Sequence, residues 1–81
     1  RKKLERYNKE IMKLIKKIEM INTNENHNKY WAASLFNNDL VVTEWGRIGT
    51  ELQSKSFDKA GVKFFEKKYN EKLKKGYQQI K

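Results

Sequence analysis

Residues 43–50, TEWGRIGT, bring together side chains suited to holding a ligand. Trp45 offers a flat apolar face, and an indole that stacks on a nucleic-acid base contributes about 1–3 kcal/mol. Arg47 offers a guanidinium that forks onto phosphate or carboxylate through two parallel hydrogen bonds, a geometry lysine does not reproduce. Gly46 and Gly49 flank Arg47 and Ile48, and glycines there let the chain turn sharply or bulge. The chain has sixteen lysines and three arginines, the other two being Arg1 and Arg6. An arginine standing alone in a lysine-rich domain points to a geometric requirement rather than bulk charge. Two readings of Trp45 remain open at this level: a ring held toward solvent by its glycine, or a core ring at a strand end. Arg47 likewise either meets a phosphate or pairs with Glu44 or Glu51.

Other chemistry is sparse. His27 is the single histidine and there is no cysteine, so the usual nucleophile–base pairs cannot be assembled and no Cys-based zinc site exists. Glu44, Glu51 and Asp58 sit near turns without a second carboxylate to form an acid–base dyad. GRIG lacks the Gly-Lys-Ser/Thr ending of a phosphate-cradling loop. The sequence therefore calls for no catalytic residue, no metal and no cofactor. If the parent protein is an enzyme, its active site lies in another domain. Opening on Arg1 rather than methionine, the chain reads as a piece cut from a longer protein.

Charge narrows the partner. The net charge is +9 over 81 residues. Residues 1–17 carry +6, residues 18–58 carry −3 and residues 59–81 carry +6. Two basic flanks around a mildly acidic middle favour a polyanion: nucleic acid first, an anionic membrane surface second. No apolar run approaches the roughly 20 residues of a membrane span. The N-terminal apolar stripe has no Trp or Phe to seat it in a lipid interface, so a membrane is not expected as a partner.

These residues need a scaffold. In residues 3–17, Leu4, Tyr7, Ile11 and Leu14, continued by Ile18, follow the spacing of a basic amphipathic helix. IEMINT at 18–23 either continues that helix or begins a strand, and the strand is preferred. The segment 22–28 holds four asparagines and no apolar residue, which marks a loop. KYWAASLF at 29–36 alternates with Trp31, Ala33 and Leu35 on one side. NND at 37–39 turns the chain, and LVVTEW at 40–45 returns it as a hairpin. LQSKSF at 52–57 alternates as a further short strand. A second helix then carries Ala60, Phe64, Phe65, Tyr69 and Leu73 on its apolar face, with Ser56 or Asp58 as its cap. Lysines, Lys72 among them, fill the remainder of that helix. Gly76 stands at a left-handed helix end, and Tyr77 folds back onto the sheet.

Four pieces in order carry a resemblance to a known family: NKYW at 28–31, WGRIGT at 45–50, F…A…F at 57, 60 and 64, and EKLKKGY at 71–77. Together these resemble a WGR domain over about residues 20–77. The resemblance implies an α+β fold, a small twisted antiparallel sheet with one packed helix. On this reading residues 18–81 form the WGR-like domain, and residues 1–17 form an N-terminal basic amphipathic helix outside the resemblance. WGR domains occur in nuclear poly(ADP-ribose) polymerases and in various bacterial proteins, which implies an intracellular protein, nuclear if eukaryotic and cytoplasmic if bacterial. In the polymerases the domain helps bind DNA strand breaks, a role in DNA repair. Carried over, Trp45 is the ring that stacks on a sugar, and Arg47 contacts phosphate or a neighbouring domain. Gly46 admits the ligand to the backbone, and Lys55 adds a phosphate contact. Where the family often has glycine before the Gln that opens this strand, this chain has Leu52 before Gln53.

The sequence thus points to a non-catalytic module that binds nucleic acid, DNA at ends or breaks foremost and RNA as an alternative ligand. The competing reading is a protein-interaction module. Its WGR surface would dock onto neighbouring domains, and its N-terminal helix would pair with a partner or with itself.

Overall fold

The computed structural model describes residues 13–81. Its elements are β1 (Leu14–Asn22), a short 3-10 turn (Asn24–Asn26), β2 (Lys29–Phe36), β3 (Val41–Arg47), β4 (Gln53–Phe57), α1 (Gly61–Lys74) and β5 (Gln78–Gln79). The strands form one sheet in the order β4-β3-β2-β1-β5, and every neighbouring pair is antiparallel. The α+β class and the single packed helix follow the sequence reading. β2, β3 and β4 fall where the alternation of apolar residues places them.

The N-terminal helix is corrected where it is visible. Residues 14–17 are strand, while residues 1–12 lie outside the described residues. Leu14 and Ile18 are four apart, a spacing that suits a helix stripe, but an irregularity between Leu14 and Lys16 puts them on opposite faces of the strand. Met20 and Asn22 follow Ile18 at even spacing, and all three are buried. A ladder to β2 from Lys16↔Leu35 to Asn22↔Lys29 then secures the strand. The irregularity resets the register, so Leu14 stands opposite Phe36.

The register sorts side chains into two faces. Ile18, Ala33, Thr43 and Lys55 are opposed across β1–β4, as are Met20, Trp31, Trp45 and Gln53. These rows form the face beneath α1. Ile18, Met20, Trp31, Ala33, Leu35, Val41 and Phe65 make the core. Trp45, Phe57, Ala60, Phe64, Tyr69 and Tyr77 pack around it. Trp31 is only 3% exposed, a core residue as its alternation predicts. The Phe57 and Phe64 rings lie 4.7 Å apart and tie β4 to α1.

Helix α1 starts without the side-chain cap expected from Ser56 or Asp58. Ser56 is inside β4, and a turn at 58–59 separates it from the helix. The helix start is held instead by a backbone bond from Gly61 N–H to the Asp39 carbonyl, 3.0 Å, at the β2–β3 turn. Its end follows the sequence closely. Gly76 has φ +99°, its N–H donates to the Leu73 carbonyl, and the Tyr77 N–H donates to the Lys72 carbonyl. This is the paired closure of a left-handed helix end. Asn22, buried at the end of β1, donates from Nδ2 to the Lys75 carbonyl at 3.1 Å and so ties the helix end to the sheet. The asparagine-rich loop also has a backbone reason. Asn26 and Asn28 adopt left-handed φ of 71° and 47°, a region asparagine tolerates better than most residues.

Candidate functional site

Strand β3 carries Trp45 and Arg47 two residues apart, so both project toward the α1 side near the strand end. Trp31 faces Trp45 across β2, and Lys29 faces Arg47. Trp45 is half-buried and packs against the core. The ring is therefore neither sealed inside nor held clear of the domain: one part rests on the core and the rest meets solvent. Arg47 is exposed and makes no ion pair with the described residues. Glu44, one of its two suggested partners, lies on the opposite face with Lys17 at 3.9 Å.

Gly46 points away from this face. A Cβ there would come within 3.1 Å of Leu52 Cδ2, so the glycine makes room for Leu52 folding over the strand. The sharp turn belongs to Gly49, with φ +89°. Thr50 closes that turn, its N–H donating to the Arg47 carbonyl at 3.1 Å and its hydroxyl to the same oxygen at 2.7 Å. The Ile48 N–H donates to the Asn28 carbonyl at 2.8 Å, which extends pairing past Arg47 and steadies it.

The matching family decides what kind of domain this is. The WGR family profile covers residues 15–81, nearly the whole described chain. The chain belongs to the WGR family. No curated protein and no solved structure matches it.

In this WGR domain the family tripeptide is split between two surfaces, Trp45 and Arg47 on one and Gly46 on the other. Two further cations share this face: Lys29, directly across the ladder from Arg47, and Lys72, over the Trp31 ring that faces Trp45. Lys72 reaches from α1 with its Nζ 5.7 Å from the centre of the Trp31 ring and 5.4 Å from that of Tyr77. Burial pushes its ammonium below the ordinary 10.5, and the charges of Lys75, Lys68 and Lys29 add to this against an opposing pull from Glu71. Lysines so crowded are favoured sites for an anion, which relieves their repulsion. Lys29 is the second cation, placed by its strand position beside Trp31.

The spacing puts Lys72 on the solvated remainder of the helix, whereas the structure sets it over Trp31 and Tyr77. Leu73, assigned to the apolar face, is instead 42% exposed. The signal was present: Lys72 lies seven residues after Phe65, on the same stripe. Lys29 was equally legible, because it sits two before Trp31 in an alternating strand. Lys55 shares the face but lies one pair farther along, opposite Thr43, with its Nζ 5.3 Å over the Phe57 ring. It borders the Trp45–Arg47 pair rather than joining it. Lys16 and Lys68 likewise lie over Phe65 and Phe64, at 5.9 and 5.4 Å. The α1 face is thus an aromatic core rimmed by ammonium groups whose alkyl stems cover it.

Among the described residues no cluster of three His, Cys, Asp or Glu is placed to hold a metal ion, and no helix is long and apolar enough to cross a membrane.

Proposed function

We propose that this WGR domain binds nucleic acid through its α1 face, with DNA ends or breaks as the preferred ligand. The observation that carries the reading is the shared face of Trp45 and Arg47, with Lys29 across from Arg47 and Lys72 over Trp31, the ring opposite Trp45. Lysines on α1 attract phosphates and make affinity fall with salt. The open part of the Trp45 ring takes a sugar or base at an end, where no following nucleotide blocks the approach. Arg47 forks onto the adjoining phosphate, with Lys29 and Lys72 balancing its neighbours. Lys55 adds charge along the rim. Gly46 acts from behind by leaving room for Leu52 to pack against β3. Such contacts read structure rather than base sequence. The domain supplies binding to a larger intracellular protein, such as a poly(ADP-ribose) polymerase acting in DNA repair, and any chemistry belongs to another part of that protein.

The test is a titration of nicked, blunt and single-stranded DNA at two salt concentrations. Arg47→Gln and Trp45→Leu serve as variants, with circular dichroism to confirm folding. The expected result is tightest binding to the nicked or blunt substrate, weakened at least several-fold by either change. Equal affinity of folded variants and the original chain at moderate salt would refute the assignment.

A further inference from the structure

The turn after β3 stands between the two faces of the sheet. Arg47 leaves it toward the α1 side, in line with Lys29 across the ladder. Ile48 and Thr50 line, with Ile21, Tyr30, Leu52 and Ile80, an apolar cleft of about 410 Å³ on the opposite side. One peptide unit joins the two: the carbonyl of Arg47 with the N–H of Ile48. Both of its polar groups are held. The Ile48 N–H donates to the Asn28 carbonyl at 2.8 Å. The Arg47 carbonyl accepts twice from Thr50, from its N–H at 3.1 Å and from its hydroxyl at 2.7 Å. The hydroxyl thus makes the shorter of the two bonds. Gly49 supplies the φ of +89° that this closure needs at its third position.

Arg47 has little else to fix it. It is exposed and makes no ion pair with the described residues. Its neighbour across the ladder, Lys29, carries the same charge and repels it. The main chain from which the side chain springs is therefore what sets its direction. An arginine that grips a phosphate loses rotamer freedom, and a fixed main chain beneath it keeps that loss small. We propose, resting on the binding face assigned above, that Thr50 is a positioning residue for the Arg47 contact. Its hydroxyl locks the peptide after Arg47 from one side while Asn28 holds it from the other. Thr50 acts through Arg47 and makes no contact of its own with the nucleic acid.

A double-mutant cycle tests this. Thr50→Val matches the shape of threonine and keeps an apolar lining on the cleft, so it removes the hydroxyl alone; Thr50→Ser retains the hydroxyl. Affinity for a hairpin DNA with one blunt end is measured at moderate salt for the 81-residue chain, both Thr50 variants, Arg47→Gln, and Thr50→Val combined with Arg47→Gln. Circular dichroism confirms the fold of each. Thr50→Val is expected to weaken binding about threefold, in the lower part of what one hydrogen bond contributes. Thr50→Ser restores the original affinity, and in the Arg47→Gln background Thr50→Val changes it by less than about twofold. Equal weakening in both backgrounds marks a general structural role and overturns the proposal. So does a Thr50→Val chain that fails to fold, or a Thr50→Ser chain as weak as Thr50→Val. Unchanged affinity of Thr50→Val beside a weakened Arg47→Gln overturns the proposal and leaves the binding face standing. Unchanged affinity of Arg47→Gln removes the binding face and the role of Thr50 with it.

Discussion

On the α1 side of the sheet, lysines and Arg47 ring a packed aromatic core; on the opposite side, Glu19 and Glu44 border small side chains and an open apolar cleft. Both surfaces are built from the same strands. Alternation does the sorting: in Glu44-Trp45-Gly46-Arg47, odd positions go to the basic face and even positions to the acidic one. The family tripeptide therefore encodes two surfaces at once. What separates them energetically is cover: α1 seals one side with Phe65 and Phe64, while no described element seals the other.

Removing that cover should have the largest effect. Phe65 is 1% exposed, and Phe65→Ala is expected to cost about 3–5 kcal/mol in urea unfolding, a large share of a small domain's stability. Leu52→Ala, at 40% exposure on the other side, is expected to cost under about 1 kcal/mol. Equal costs would erase the distinction between a sealed and an open face.

For binding, Arg47→Gln is expected to weaken DNA affinity about tenfold and to lower the magnitude of the log–log salt slope by about one. Glu44→Gln, from the opposite face, should leave affinity within about twofold, because its charge is remote and screened. A larger loss from Glu44 than from Arg47 would place the ligand on the wrong side.

Gly76→Ala tests the closure that brings Lys72 and Tyr77 together. With φ +99° and Asn24 Nδ2 only 3.2 Å from an added Cβ, it should lose about 1 kcal/mol by thermal unfolding.

The smallest effect concerns pH and reports on the open face. Burial, together with the hydrogen bond donated to Glu19 at 2.9 Å and the charges of Glu19 and Glu44, pushes the Tyr30 hydroxyl up from 10.0 to about 12. The folded chain thus keeps a proton that the unfolded chain releases. That contribution is whole below pH 10 and is lost as pH rises toward 12. Tyr30→Phe should flatten this decline, leaving a remainder from Tyr77, whose hydroxyl burial also raises. An unaltered profile would mean the open face contributes nothing there.

Much of this was legible beforehand. The hairpin of β2 and β3 announced itself by alternation and the NND turn, and Gly76 by its place after a lysine-rich helix. Two elements escaped. Residues 14–17 fit the helix spacing, and only pairing with β2 shows them as strand. β5 is two glutamines with no apolar signal, held by the edge of β1, where Ile80 N–H donates to the Glu19 carbonyl at 2.8 Å. At the site, type and spacing located Trp45 and Arg47 but not the part-buried setting of the ring, which depends on Trp31 across the ladder. Gly46 also packs against Leu52 from the loop before β4, a contact that spacing along β3 does not reveal.

The most direct measurement is an NMR titration of the isotope-labelled chain with a short duplex carrying one free end, at moderate salt. The two-face account predicts that the Trp45 indole and the signals of Lys29, Arg47 and Lys72 move first and farthest. Leading shifts at Ile21, Leu52 and Ile80, or none anywhere, would contradict it.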